Sequence, residues 1–237
     1  MNNPIQNVDI VIPVHNEELN LKILLPKIIN ITKKIKNYKV RVVCIDDASS
    51  DKTQSYLATL KKKHKQIRFI KNSHRGGQTQ CFKTYLKKFD SDYFIRIDGD
   101  NQDNPKHITK IFKLINLKYD LILTERKIRK HSMYMIILTF LYDKLIEFLI
   151  KKKLETYSSS LACFKTILIK EKNLIFNDHR YFPLIAIENG AEKIKVFPID
   201  HKKRIYGKTK YSMIKKIIYA LPEFLFFYFR LKKGNYS

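Results

Sequence analysis

The first half of the chain alternates short apolar runs with stretches of helical periodicity. Val8-Asp9-Ile10-Val11-Ile12-Pro13-Val14 is a near-continuous apolar run, the pattern of a buried strand, with Pro13 at its carboxyl end. His15-Asn16-Glu17-Glu18 then opens a helix with acidic groups suited to its first turn. From Leu19 to Lys36, Leu21, Leu24, Leu25, Ile28, Ile29 and Ile31 form an apolar stripe. Lys39 to Ile45 reads as a second strand, ending in a polar turn, Asp46 to Thr53, that caps the next helix. Ile67 to Ile70 is a short third strand, and Arg75-Gly76-Gly77-Gln78 leads into a helix that reaches Phe89. Asp92 to Ile97 is a fourth strand, Pro105 opens a further helix, and Leu121 to Thr124 is a fifth strand. This alternation predicts an α/β fold with a mostly parallel sheet and helices on both faces. The polar clusters Pro13–Glu17, Asp46–Asp51 and Asp98–Gln102 all follow strands, so they should converge on one edge of that sheet.

The second half is patterned differently. Met133 to Ile150 is strongly apolar but interrupted by Asp143, Lys144 and Glu147, too broken for an ordinary membrane span. An amphipathic surface helix and a core helix both fit it. Leu161 to Ile169 and Glu192 to Ile199 read as strands. Met213 to Leu231 carries Phe224, Leu225, Phe226, Phe227, Tyr228 and Phe229, broken by Lys215, Lys216, Pro222, Glu223 and Arg230. That composition favours a helix lying on a membrane surface over a core helix.

At 237 residues the chain has room for one sizeable α/β domain. Its 47 Lys+Arg against 22 Asp+Glu give a net charge of +25, which favours polyanionic partners: nucleic acid, anionic membrane or phosphorylated substrates. AT-rich coding bias, visible in the abundance of Lys, Ile, Asn and Tyr, accounts for part of the excess. No helix-turn-helix, zinc-finger or single-strand stacking pattern supports nucleic acid. Cys44, Cys81 and Cys163 are far apart and lack metal-type spacing. Cys44 and Cys163 lie in apolar runs as buried small hydrophobes, and a reducing cytosolic setting fits. Met1 to Asn7 lacks the charged and apolar regions of a signal peptide.

The fourth strand ends in Arg96-Ile97-Asp98-Gly99-Asp100-Asn101-Gln102. Two carboxylates one residue apart at the carboxyl end of a strand, with an amide shortly after, are hard oxygen ligands. They suit Mg²⁺ or Mn²⁺, which keep water and take further ligands from substrate phosphates. The same residues also suit a polar β-turn.

Four blocks carry a resemblance that weighs between these readings. Ile12-Pro13-Val14-His15-Asn16-Glu17 is similar to an opening P-x-Y/F-N-E loop, with His15 in the usual aromatic place. Ile45 to Thr53 is similar to D-D-G-S-x-D-x-T, with Ala48 for Gly; Asp98 to Gln102 is similar to D-A/G-D-L-Q. Arg204 to Tyr211 is similar to R-x-x-G-x-S-K-Y, with Thr209 for Ser. In this order and spacing, over roughly residues 8–212, the blocks resemble family-2 glycosyltransferases of the GT-A fold, and within them the polyprenyl-phosphate sugar transferases typified by dolichol-phosphate mannosyltransferase. The resemblance implies a Rossmann-like nucleotide-sugar domain over 1–212 and an amphipathic, membrane-associating segment over 213–237.

It also implies roles. Pro13, His15, Glu17, Ile45 and Asp47 would line the nucleotide pocket, with Gly99 and Arg126 beside the donor. Asp98, Asp100 and Gln102 would hold Mg²⁺ or Mn²⁺ against the donor diphosphate. Arg204 and Lys210 would meet phosphate charge and, with Asp98 and Asp100, form the catalytic set. The implied reaction is inverting transfer of a sugar from a nucleotide sugar to a polyprenyl phosphate. It would take place at the cytoplasmic face of a membrane, with a membrane-protein partner possible. A phosphate acceptor is already anionic and needs no general base, whereas a hydroxyl acceptor would. No Glu-Asp pair follows Asp100, and Asp178 and Glu188 are isolated candidates for a base. His179-Arg180-Tyr181-Phe182-Pro183 resembles an H-R-F/Y-x-P segment of bacterial relatives, in which His179 suits substrate contact or a structural role. Thr156 to Ser160 stands where relatives carry Asp-x-x-C/S-G, which bears on acceptor or sugar specificity. Two rival readings are transfer to a sugar hydroxyl and a catalytically silent basic membrane-binding scaffold.

Overall fold

The computed structural model describes residues 6–126, 133–151, 159–200, 202, 206 and 213–236. Strand β1 (Gln6–Val14) is an interior strand of a seven-stranded sheet formed with β2 (Tyr38–Asp46), β3 (Ile67–Lys71), β4 (Tyr93–Arg96), β5 (Leu121–Arg126), β6 (Ala162–Lys165) and β7 (Ile194–Ile199). The spatial order is β3-β2-β1-β4-β6-β5-β7. Every pairing is parallel except the two made by β6, which runs antiparallel between β4 and β5. The expected long strand Leu161–Ile169 is therefore short. After Lys165 the chain turns through a 3-10 segment, Thr166–Leu168, because β6 has reached the amino ends of its neighbours.

The helices are α1 (Glu18–Lys33), α2 (Thr53–Lys63), α3 (Gly77–Lys88), α4 (Ile108–Asn116), α5 (Met133–Ile150), α6 (Phe182–Glu188) and α7 (Met213–Lys232). In α1 the stripe Leu21, Leu24, Leu25, Ile28 and Ile29 is buried as its spacing predicts; Ile31 is only partly covered, and the helix stops at Lys33 rather than Lys36. Two apolar clusters cover the two sheet faces. Leu21, Leu25, Leu57 and Ile111 from α1, α2 and α4 pack with Val8, Ile10 and Ile12 on one face. Phe82, Tyr85, Ile146, Phe182, Phe224 and Phe227 from α3, α5, α6 and α7 pack with Val11, Phe94 and Phe164 on the other. Strands buried on both faces explain why β1 and β2 read as continuous apolar runs rather than alternating ones. The aromatic tail is thus divided: Phe224 and Phe227 belong to the core, while Phe226 and Phe229 face outward.

One polar group interrupts the apolar run of β1. Asp9 is fully buried and accepts two hydrogen bonds from Arg41, at 2.6 and 2.8 Å, and one from the Tyr85 hydroxyl at 3.0 Å. Tyr85 also meets Ser91, which meets Thr166, so β1, β2, α3 and the end of β6 are tied together at the amino edge of the sheet. Burial pushes the Asp9 carboxyl above its usual range despite the paired guanidinium, so the ion pair does not fully offset its own desolvation. Asp9→Ala takes the carboxylate from the partly exposed Arg41, which keeps its bond to the Asp90 carbonyl, and one partner from the buried Tyr85 hydroxyl. It is expected to lower unfolding free energy by about 2 kcal/mol, read as a lower urea midpoint with unchanged slope.

Candidate functional site

The chain runs outward from β1 through β2 to β3 and then returns to place β4 on the other side of β1. The carboxyl ends of β1 and β4 therefore flank a topological switch point, where open α/β sheets bind ligands. Two segments meet there. The last β1–β4 pair is Val11 with Arg96, after which the Ile97 N–H donates to the Val11 carbonyl. Gly99 follows so close to β1 that a Cβ on it would stand 2.9 Å from Val14 Cγ1 and 3.4 Å from the Pro13 carbonyl oxygen. That approach requires glycine and sets the half-buried Asp98 and Asp100 against the end of β1.

The three polar clusters do converge. The Asp47 N–H donates to Val14 O at 2.8 Å, and the Asn72 N–H to Asp46 O at 2.8 Å, so the ends of β1, β2 and β3 are stepped beside one another. The Asn16 N–H donates to Ser49 Oγ, its side-chain oxygen accepts from the Ser50 N–H, and the Glu17 N–H donates to Thr53 Oγ1. The Asp51 carboxylate accepts from the N–H groups of Thr53 and Glu18, so one anion serves the first residues of two helices. Ala48 lies in the left-handed region with φ 56°, which is why glycine suits this place.

Individual residues divide by task. Both oxygens of Asp47 are engaged at 2.8 Å by the N–H groups of Gly76 and Gly77, the start of α3. Asp47 therefore anchors a helix N-terminus, and in this structure its carboxylate does not offer a bare acceptor to a base. Asp46, fully buried, accepts from the Ser49 N–H and Gln54 Nε2. Ile45 lies wholly within the core cluster. Pro13 is buried at the end of β1, and the half-buried His15 donates from Nδ1 to Asp47 O at 2.8 Å, which puts the proton on that nitrogen. Glu17 is buried and accepts from Asn20 Nδ2 at 2.6 Å. Asp98 accepts from Gln78 Nε2 at 3.3 Å, and Asp100 from the Gln102 N–H at 3.2 Å. Gln102 also clamps the chain after β7: its carbonyl accepts from the Lys202 N–H at 2.9 Å and its Nε2 donates to Lys202 O at 3.1 Å. Arg126 ends β5, opposite Ile199 of β7. Arg204 and Lys210 lie outside the described residues, as do Thr156, Tyr157 and Ser158.

The donor set can be tested against a divalent ion. Among the described residues no three His, Cys, Asp or Glu side chains gather as a metal-holding group. Two carboxylates with a neighbouring amide suit instead an ion that completes its shell with water and diphosphate oxygens, the habit of Mg²⁺ and Mn²⁺. The residues present fit that role.

Arg96, Gln78, Thr79 and the Gly76-Gly77 turn take part in ways the motifs did not announce. Arg96 is buried; its guanidinium donates to the carbonyls of His179 and Ser159 and lies 5.5 Å from the Phe164 ring. Burial lowers it to about 10, opposed by the charges of Asp98 and Asp103, so it also supplies positive potential behind Asp98. A Gly-Gly pair between a strand and a helix was the available signal for the Asp47 anchor; nothing local marks Arg96. His179 takes the structural role. Its Nδ1 lies 2.8 Å from Thr79 Oγ1, and burial, then Arg96 and Arg180, hold it far below the ordinary 6.5.

The profile of "Glycosyl transferase family 2" matches residues 9–174, well over half of the chain. The chain belongs to glycosyl transferase family 2. Among curated relatives of this family 2 chain is an undecaprenyl-phosphate 4-deoxy-4-formamido-L-arabinose transferase of Edwardsiella ictaluri, 26% identical over 215 residues. The protein of the same description from Photorhabdus laumondii is 24% identical over 214 residues. The alignments cover 90% of this chain and 65% of each relative, so the chain spans just under two thirds of their length. Two solved structures share the fold. A glucosyl-3-phosphoglycerate synthase from Mycobacterium tuberculosis with Mn²⁺ and UDP-glucose matches with TM-score 0.66 at 13% identity, over 94% of this chain and 79% of that one. A mannosyltransferase from Pyrobaculum calidifontis with GDP-Man and Mn²⁺ matches with TM-score 0.61 at 17% identity, over 86% and 58%. The sheet and its flanking helices are those of the GT-A glycosyltransferases.

Two outcomes follow from this geometry. Ala48→Gly relieves a left-handed alanine at some cost in unfolded-chain entropy, and should raise stability by about 0.5–1 kcal/mol, seen as a higher urea midpoint. Below pH 6.5 an unfolded chain protonates His179 whereas the folded site resists it, so stability falls as pH falls through that window. His179→Gln should flatten this part of the stability–pH profile relative to wild type.

Proposed function

We propose that the chain is a metal-dependent, inverting glycosyltransferase that moves a sugar from a nucleoside-diphosphate sugar to a polyprenyl phosphate at the cytoplasmic face of a membrane. The observation that carries this reading is the Asp98-Gly99-Asp100 turn set against β1 at the switch point of a GT-A sheet. In the reaction the anomeric C–O bond to the diphosphate breaks, its electron pair leaving with the nucleoside diphosphate. An acceptor phosphate oxygen forms the new C–O bond from the opposite face. Mg²⁺ or Mn²⁺ at Asp98, Asp100 and Gln102 would offset the charge that builds on the leaving group. Pro13, His15 and Glu17 are assigned to the donor, as is Arg126 at the carboxyl end of β5, which β6 separates from β4. Arg204 and Lys210 are assigned to phosphate on the family resemblance; Lys202, which bonds to Gln102 beside the carboxylate turn, precedes them in the chain.

A phosphate acceptor fits the two isolated acids. Asp178 is buried, paired with Arg230 at 2.8 Å and bonded to the Ile175 N–H, so it is committed to the interior. Glu188 lies shortly before Glu192 and Lys193, which bond to Asp120 at the amino end of β5, the far edge of the sheet. The names and ligands of the relatives support the same reading, which extends them to this chain. The outward face of the 213–237 segment is assigned to the membrane.

The test is transfer of label from UDP- and GDP-sugars into organic-extractable polyprenyl phosphate. Transfer should disappear with EDTA and fall on the order of a hundredfold or more in Asp100→Ala. Donor binding without lipid labelling would instead favour a sugar-hydroxyl acceptor.

A further inference from the structure

Asn20 is a polar residue on the buried face of α1. It is 2% exposed and stands one turn before Leu24, where a leucine would simply extend the apolar stripe. Its Nδ2 donates to Glu17 Oε2 at 2.6 Å and to the Tyr206 carbonyl oxygen at 3.4 Å. Both neighbours accept, so the amide is fixed with its NH₂ group toward them. Among the described residues Oδ1 then has no hydrogen-bond partner. A buried acceptor left in this way costs free energy. What the chain gains from it is a fixed place for Tyr206, 186 residues away.

That place adjoins Glu17, one of the residues assigned above to the donor. Lys202, four residues before Tyr206 in the chain, bonds to Gln102 beside the carboxylate turn. Tyr206 is nevertheless 42% exposed. A tyrosine held by its carbonyl against a buried amide, with much of its surface open, is placed to meet something other than the core. The loops that close this edge of the sheet, 14–18, 46–53, 72–78 and 98–104, contain no Phe, Tyr or Trp; His15 and His74 are their only rings. The His15 ring is already turned to the Asp47 carbonyl through Nδ1. A nucleobase is a flat ring with polar edges. Polar loops can serve its edges, but its faces call for an aromatic surface.

We propose that Tyr206 is a donor-binding residue whose ring stacks on the base of the nucleoside diphosphate, and that Asn20 is the residue that positions it. The proposal rests on the nucleotide-sugar reading and deepens it. To Pro13, His15 and Glu17, all from the loop after β1, it adds a residue from the far end of the chain. Every base has a π-face, so stacking raises affinity for nucleoside diphosphates as a class and leaves the choice among bases to the polar loops. It adds nothing to the hold on the diphosphate, which falls to metal and charge. The contribution of Tyr206 is therefore separable from that of the carboxylate turn.

The experiment is equilibrium binding of UDP, GDP and inorganic pyrophosphate, each with Mn²⁺, to the full chain. Tyr206→Ala should weaken whichever nucleoside diphosphate wild type binds by about tenfold and leave pyrophosphate unchanged. Tyr206→Phe should keep wild-type affinity, because the face of the ring is used and not its hydroxyl. Asn20→Leu, which keeps the volume and releases the Tyr206 carbonyl, should show a smaller loss of the same kind. The chain contains no tryptophan, so Tyr206→Trp supplies a single fluorophore. Its emission should be quenched by the nucleoside diphosphate and not by pyrophosphate, which decides the matter should the alanine variant fail to fold. Equal nucleotide affinity in wild type and Tyr206→Ala, or equal losses for nucleotide and pyrophosphate, overturns the proposal and leaves the transferase reading in place. Wild type that binds neither nucleotide overturns that reading, and this one with it.

Discussion

The close approach of Gly99 to Val14 and Pro13 is the contact on which the site depends. Two strands that diverge after Val11 and Arg96 would leave a simple cleft. A residue without a side chain lets the descending turn press against the end of β1 instead. The carboxylates on either side of that glycine are thereby held beside the loops from β1 and β2. The backbone bonds from Asp47 to Val14 and from Asn72 to Asp46 then extend the same edge to β3. Most of the polar side chains at the edge hold the loops: Asp46, Asp47, Asp51 and Ser49 all bond to backbone N–H groups or to one another's loops.

That division explains what could be read in advance. The parallel half of the sheet and the convergence of the three polar clusters follow from periodicity, because buried strands and amphipathic helices are local patterns. The placement of β6 was hidden, since a short apolar run carries no mark of its direction or partners. The tasks of individual carboxylates were also hidden. Asp46, Asp47 and Asp98 look alike in a sequence. Which of them anchors a helix depends on Gly76 and Gly77, remote in the chain, coming within 2.8 Å of one of them. The aromatic tail shows the same limit. Six consecutive apolar residues signal burial somewhere, and only the fold assigns Phe224 and Phe227 inward and Phe226 and Phe229 outward.

Arg96 sets a second constraint. A buried guanidinium held by two backbone carbonyls fixes the turn at 177–181 and the approach to β6 relative to the strand that ends in Asp98. Among the described residues no carboxylate bonds to it directly, and its charge acts on Asp98 and Asp103 through the interior, where screening is weak. One side chain thereby links the electrostatics of the carboxylate turn to the packing of α6 and α7.

The reversed direction of β6 carries a further consequence. A helix joining two parallel neighbours must cross the whole sheet, and its length is fixed by that crossing. Helix α5 joins β5 to an antiparallel neighbour, so the chain leaves and re-enters the sheet at the same edge, the one that bears the carboxylates. It is an excursion rather than a crossover. Its length and composition can drift without disturbing strand order, so this stretch is free to diverge while the parallel half of the sheet stays unchanged.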